Sequence, residues 1–122
     1  MKTAITSKGN GTSAQFDLRF GRAAWFCVID DETGNTEFFE NDCANLSGGA
    51  GIKAAQIIVD NEVDVLLTPR CGENAAGVLE NAGIKMYKTV GDSVSSNIEA
   101  YNAGKLSLLE DIHAGLHDHG KK

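Results

Sequence analysis

Hydrophobic and polar positions change period several times along the chain, and each change predicts an element. Residues 2–8 read as a first strand with a polar exit, and Gly9-Asn10-Gly11-Thr12-Ser13 reads as a loop by composition. Phe16-Asp17-Leu18-Arg19-Phe20-Gly21-Arg22 alternates apolar with charged residues up to a glycine. Residues 23–30 form a continuous apolar run, which predicts a strand covered on both faces. Asp31-Glu32-Thr33-Gly34-Asn35 predicts a hairpin turn in which Gly34 takes positive φ, and residues 36–41 are the returning strand. The loop 42–49, with Cys43 in it, follows.

The period then becomes helical. Over 50–61, Ile52, Ala55, Ile58 and Val59 fall near one face. Residues 63–68 are rich in branched aliphatics and end at Pro69, which predicts a buried strand. Residues 73–81 predict a second helix, with Val78, Leu79 and Ala82 turned inward and Gly83 as its C-terminal cap. Residues 84–88 give a last strand. A third helix runs to Ala103, and Val94, Ile98 and Tyr101 form its apolar stripe. Ser96-x-x-Glu99 fits a capping box, with Asp92 or Ser93 as the alternative start, and Gly104 ends the helix. The order β-β-β-α-β-α-β-α predicts an α/β fold. Its antiparallel first half joins βαβ crossovers in one five-stranded mixed sheet with three helices. Residues 1–109 are expected to form one domain, and 110–122 a flexible histidine-containing tail.

Chemistry concentrates between Gly48 and Asn74. Gly48-Gly49-Ala50-Gly51 opens the first helix, and Arg70-Cys71-Gly72 opens the second. Parallel strands place both openings at one end of the sheet. A helix start offers unpaired N–H groups and about half a positive charge, and glycine lets that backbone approach a ligand. Lys53 and Arg70 sit where the helix dipole disfavours cations, which predicts a pocket for an anion. The Cys71 thiol, beside a helix start and Arg70, is expected to have a lowered pKa and to act as a soft-metal ligand or nucleophile, or else to be an incidental small residue in a turn. Cys43 leads into the glycines and is a second candidate ligand. Cys27, inside Trp-Phe-Cys-Val-Ile, reads as a buried core thiol.

Charge narrows the partners. There are 11 Lys and Arg against 17 Asp and Glu, a net charge of −6, and no basic run on which to build a nucleic-acid surface. A small anion held by local cations is still compatible with that balance. No stretch approaches the roughly 20 apolar residues that span a membrane. Three cysteines, an odd number with no C-x-x-C, point to a reducing cytoplasm rather than a disulfide framework. Gly49-Ala50-Gly51-Ile52-Lys53-Ala54 matches a dinucleotide fingerprint in letters. It lacks the preceding strand and the acid after the next strand, and glycines needed only for tight helix packing explain it as well. His113, His117 and His119 with Asp118 form a loose cluster of the kind that binds metal weakly, or a solubilising tail. No carboxylate set suits phosphoryl transfer, and Ser47 has no histidine outside the tail to activate it.

Four stretches together resemble a known family. They are Asp17-x-Arg19-Phe20-Gly21-Arg22-Ala23, the turn after Ile29-Asp30, Gly48-Gly49-Ala50-Gly51-Ile52-Lys53-Ala54-Ala55-Gln56, and Ala82-Gly83-Ile84-Lys85-Met86-Tyr87. The chain resembles, over residues 2–106, the dinitrogenase iron–molybdenum cofactor biosynthesis family. That family includes nitrogenase cofactor carriers and the molybdenum–copper "orange" proteins. The resemblance implies a ribonuclease H-like sheet serving as a small carrier or scaffold for an anionic metal–sulfur cluster of the iron–molybdenum or molybdenum–copper type, and not an enzyme. A cluster donor or acceptor protein would be its partner. The site would combine the charges of Arg19, Arg22, Lys53 and Arg70 with Phe20, Gly21, the backbone of Gly48, Gly49, Ala50 and Gly51, and Gly72. Cys71 and Cys43 would supply thiolate. Some carriers place a ligating histidine where Arg19 stands, and an arginine there pairs with an anion instead. Two other readings use the same residues differently: a nucleotide-phosphate binder in the same pocket, and a ligand-free interaction module dimeric through a sheet edge.

Overall fold

The computed structural model describes residues 1–9, 20, 23–41, 49–90, 93–109 and 112–113. The expectations placed on residues 10–19, 21–22, 42–48, 91–92, 110–111 and 114–122 lie outside the described residues. Among the described residues ten elements follow in order: β1 (Lys2–Ser7), β2 (Trp25–Asp30), β3 (Thr36–Glu40), α1 (Ala50–Asp60), β4 (Val65–Leu67), β5 (Cys71–Gly72), α2 (Glu73–Asn81), β6 (Lys85–Tyr87), α3 (Val94–Asn102) and β7 (Ile112–His113).

Five strands make one mixed sheet in the order β3-β2-β1-β4-β6. β1 pairs antiparallel with β2, Ile5 opposite Cys27, and parallel with β4, Ile5 opposite Leu67. β3 extends the antiparallel half and β6 the parallel half. The chain therefore divides as the element order predicts: hairpin first, crossovers after. Gly34, at φ 78°, turns the β2–β3 hairpin, and its N–H donates to Asp30 O at 2.7 Å.

Period-2 alternation sorts the strands onto two faces. Ala4, Phe26, Val28, Leu66 and Met86 meet Ala54, Ala55 and Ile58 of α1 and Ala75, Ala76 and Leu79 of α2. Ile5, Cys27, Val65 and Leu67 meet Val94, with Ile98 and Tyr101 of α3 at the margin. The α1–α2 contact is built from small side chains, which lets the two helices approach closely. A Cβ added at Gly51 would lie 3.6 Å from the Ala75 Cβ. Inward positions differ from expectation at three places. Ile52 is exposed on α1, where Ala54 takes the core position; Ala82 is exposed after α2, where Ala75 and Ala76 are buried instead. On α3 the buried positions are Val94 and Asn97. Asn97 is satisfied there, its Oδ1 accepting from Val90 N–H at 2.6 Å and its Nδ2 donating to Ser93 O at 2.8 Å.

The start of α3 falls at the earlier of the two expected starts: Ser93 is the N-cap, its side chain accepting from Ser96 N–H at 3.1 Å, and the Ser96-x-x-Glu99 box lies inside the helix. Beyond α3, residues 106–109 run beside β6, with Leu108 bridged to Tyr87 and Leu109 N–H donating to Met86 O at 2.9 Å. Ile112–His113 fall in the segment expected to be a tail. They pair parallel with β5, Ile112 opposite Cys71 and His113 opposite Gly72.

Candidate functional site at the carboxyl ends of the parallel strands

β1, β4 and β6 are parallel, and β3 runs the same way through its antiparallel partner β2. Their carboxyl ends share one edge of the sheet. α1 starts at that edge after β3, and β5 with the start of α2 follows β4 there. Ligands of open α/β sheets bind outside such ends, where the connections diverge.

The two helix starts differ in charge. α1 begins after Gly49, which takes φ 72°, and has no side-chain cap and no acid in its first turn. Its first helical bond is Lys53 N–H to Gly49 O at 3.1 Å, which leaves the amides of Ala50, Gly51 and Ile52 without an intrahelical acceptor. The Lys53 side chain is exposed and makes no ion pair among the described residues. α2 begins after Gly72, also without a side-chain cap, but Glu73 stands in its first turn and offsets the dipole. Of these two starts, only that of α1 has no acid in its first turn. Arg70, exposed in the turn after β4, adds charge at the same sheet edge.

A row of buried hydroxyl and amide groups underlies this edge, and the sequence reading missed it. Thr6 and Ser7 end β1, Asn41 follows β3, Thr68 follows β4 and Thr89 follows β6, none more than 5% exposed. Most have partners. Ser7 Oγ donates to Gly9 O at 2.6 Å, Asn41 Nδ2 to Ala23 O at 2.9 Å, and Thr68 Oγ1 to Arg70 O at 3.1 Å. Thr89 Oγ1 is buried without a partner among the described residues. The signal available beforehand was a threonine or serine at the exit of each parallel strand, which reads locally as nothing more than a polar strand end.

Placement of the remaining expected site residues is uneven. Gly49, Ala50, Gly51, Lys53, Arg70, Cys71 and Gly72 all lie at this edge. Ala50 is buried, and Gly51 faces α2 closely enough that helix packing accounts for it. Phe20 is 5% exposed in the core, its ring 5.7 Å from that of Phe26, so its side chain packs in the core rather than facing a ligand. Arg19, Gly21, Arg22, Cys43 and Gly48 lie outside the described residues.

Cys71 departs from expectation most. Its side chain is 2% exposed within the α1–α2 core, and burial pushes the thiol up to about 12, with the Glu80 carboxylate adding to the rise. Desolvation outweighs both the helix start and Arg70. The expected low-pKa thiolate is replaced by a protonated core thiol. Cys27 behaves as expected: it is buried, and desolvation raises it to about 12.

Among the described residues no group of three His, Cys, Asp or Glu side chains could hold a metal ion, and no helix is long and apolar enough to cross a membrane. A five-stranded mixed sheet of this order, with two glycine-initiated helices at one edge, defines a small domain of the α/β class. The family profile described as dinitrogenase iron-molybdenum cofactor matches residues 1–104, and the chain belongs to that family. The chain is 36% identical to the apo orange protein of Desulfovibrio gigas, covering 90% of this chain and 93% of that one, with a TM-score of 0.84. It is 34% identical to a Thermotoga protein studied by NMR as a candidate NifB protein, covering 98% of each chain, with a TM-score of 0.80. An uncharacterized protein of Methanocaldococcus jannaschii is 30% identical over 113 residues, 90% of this chain and 92% of its own length.

Proposed function

We propose that this protein is a carrier or scaffold for an anionic metal–sulfur cluster of the iron–molybdenum or molybdenum–copper type, seated at the carboxyl-end edge of the sheet. The observation that carries the reading is the start of α1. It has three amides without an intrahelical acceptor, no acid in the first turn and an exposed lysine where a dipole disfavours one. An anion resolves that arrangement, and Arg70 lies on the same edge to share the load. Arg19 and Arg22 are proposed to close the site from the segment between β1 and β2, with Gly21 and Gly48 supplying backbone. The name of the family and of the orange protein support a metal-containing cargo.

The hold is electrostatic rather than a bond to Cys71. A thiol raised to about 12 carries almost no thiolate at neutral pH. Cys43 remains the proposed thiolate, from the segment joining β3 to α1. Carriage needs no reaction at the site, so we read the chain as a non-enzyme that receives the cluster from one cytoplasmic protein and passes it to another.

Anaerobic reconstitution with iron, sulfide, tetrathiomolybdate and copper tests the reading. Visible absorption that stays with the protein through gel filtration, with matching metal analysis, is expected for wild type and for Cys71→Ala. Retention lost in Cys71→Ala alone would return the thiolate to the centre of the site. Metal-free protein from every mixture, with a thermal shift on adding nucleotides instead, would replace the cluster by a phosphate ligand. A ligand at about 100 times its Kd adds about 2.7 kcal/mol to stability.

A further inference from the structure

The outer edge of β3 has no strand beside it among the described residues, and its register with β2 says which peptide groups face outward. Asp30 N–H donates to Asn35 O at 2.9 Å, and Asn41 N–H donates to Ala24 O at 3.0 Å. Positions 35 and 41 therefore sit in hydrogen-bonded pairs. Antiparallel alternation gives Glu37 and Phe39 the bonded positions between them. Thr36, Phe38 and Glu40 then turn their N–H and C=O groups away from β2. Three donors and three acceptors line an edge whose side chains are exposed or half-buried. The far edge of the same sheet is different, because residues 106–109 already run beside β6.

We propose that this edge pairs with β3 of a second copy of the chain, antiparallel and centred on Phe38. In that register the two Phe38 residues exchange both of their hydrogen bonds. Thr36 of each copy does the same with Glu40 of the other, and all six outward groups of each strand are satisfied. Glu37 stands opposite Phe39, so no carboxylate directly faces another. Centring on Glu37 would set the two Glu37 carboxylates face to face, and centring on Phe39 would carry Thr36 past the end of the partner strand. Glutamates on an edge oppose indiscriminate pairing. Here they also select one register from its neighbours. An edge that pairs with the same edge of a second copy closes as a two-fold dimer and does not propagate. Each chain carries a net charge of −6, so screening by salt strengthens the association. This inference stands apart from the cluster reading, since the edge is built from backbone at one side of the sheet.

Sedimentation equilibrium of the full chain over a concentration series, at low and at high salt, reads the mass. Amide hydrogen exchange at matched concentrations reads the edge. The expected result is a two-chain mass that grows with concentration and with salt, while the Thr36, Phe38 and Glu40 amides slow together. Phe38→Lys is expected to hold the protein at one chain. Phe38 also packs on the α3 side of the sheet, so Thr36→Pro serves as the second variant. The Thr36 N–H faces outward, and its loss leaves the β2 ladder intact. A one-chain mass under all conditions overturns the proposal. So does a dimer that survives Thr36→Pro, or one whose protection falls elsewhere.

Discussion

Two thiols sit where their ionised forms would be stranded in apolar surroundings. Cys27 and Cys71 are both raised from 9.0 to about 12 by burial. The folded state therefore keeps their protons while the unfolded chain loses them. Their contribution to stability is whole below pH 9 and is lost as pH climbs toward 12. Thermal melts from pH 8 to 10 are expected to fall more steeply for wild type than for Cys71→Ala. Equal slopes would contradict the buried assignment. The error about Cys71 has a simple origin. Arg70 and a helix start are visible in the sequence, but the burial of Cys71 in one core with Ala75, Ala76 and Leu79 is tertiary. The same holds for Thr89, whose hydroxyl is buried without a partner among the described residues because of what surrounds it and not because of its neighbours in the chain.

At the scale of elements, periodicity carried most of the fold. α2 spans Glu73–Asn81 as its apolar spacing predicts, and α1 ends one residue sooner than expected, with Asn61 as its C-cap. Strands shortened at their ends because apolar content outlasts pairing. Val63 and Thr68 are buried beside β4 without belonging to it. The cap of α3 was ambiguous because Ser93 and Ser96 lie three apart, and their own hydrogen bond, Ser93 Oγ to Ser96 Oγ at 3.0 Å, joins the two candidates. Ser93→Ala is expected to cost about 1 kcal/mol in a urea titration, and Ser96→Ala less. α1 offers the sharper test. Lys53→Glu puts an acid where the dipole favours one, so the cargo-free protein should gain about 0.3–1 kcal/mol. Unchanged or lower stability would mean that Lys53 does not feel an uncompensated helix start.

The whole molecule joins a sheet that could be read in advance to an edge that could only partly be. Element order fixed the antiparallel and parallel halves. The placement of Gly49, Lys53 and Arg70 at one end of the sheet followed from strand direction alone. The pairing of Ile112–His113 with β5 was hidden because two residues in a polar segment carry no period. The central claim is that an anion belongs at the start of α1. It is tested most directly by titrating the anaerobically prepared molybdenum–copper sulfide cluster into wild type and Lys53→Glu and following the visible charge-transfer band. The account predicts at least about tenfold weaker binding by the variant, equal to 1.4 kcal/mol or more, although its fold is the more stable of the two. Equal affinity in wild type and Lys53→Glu would contradict it.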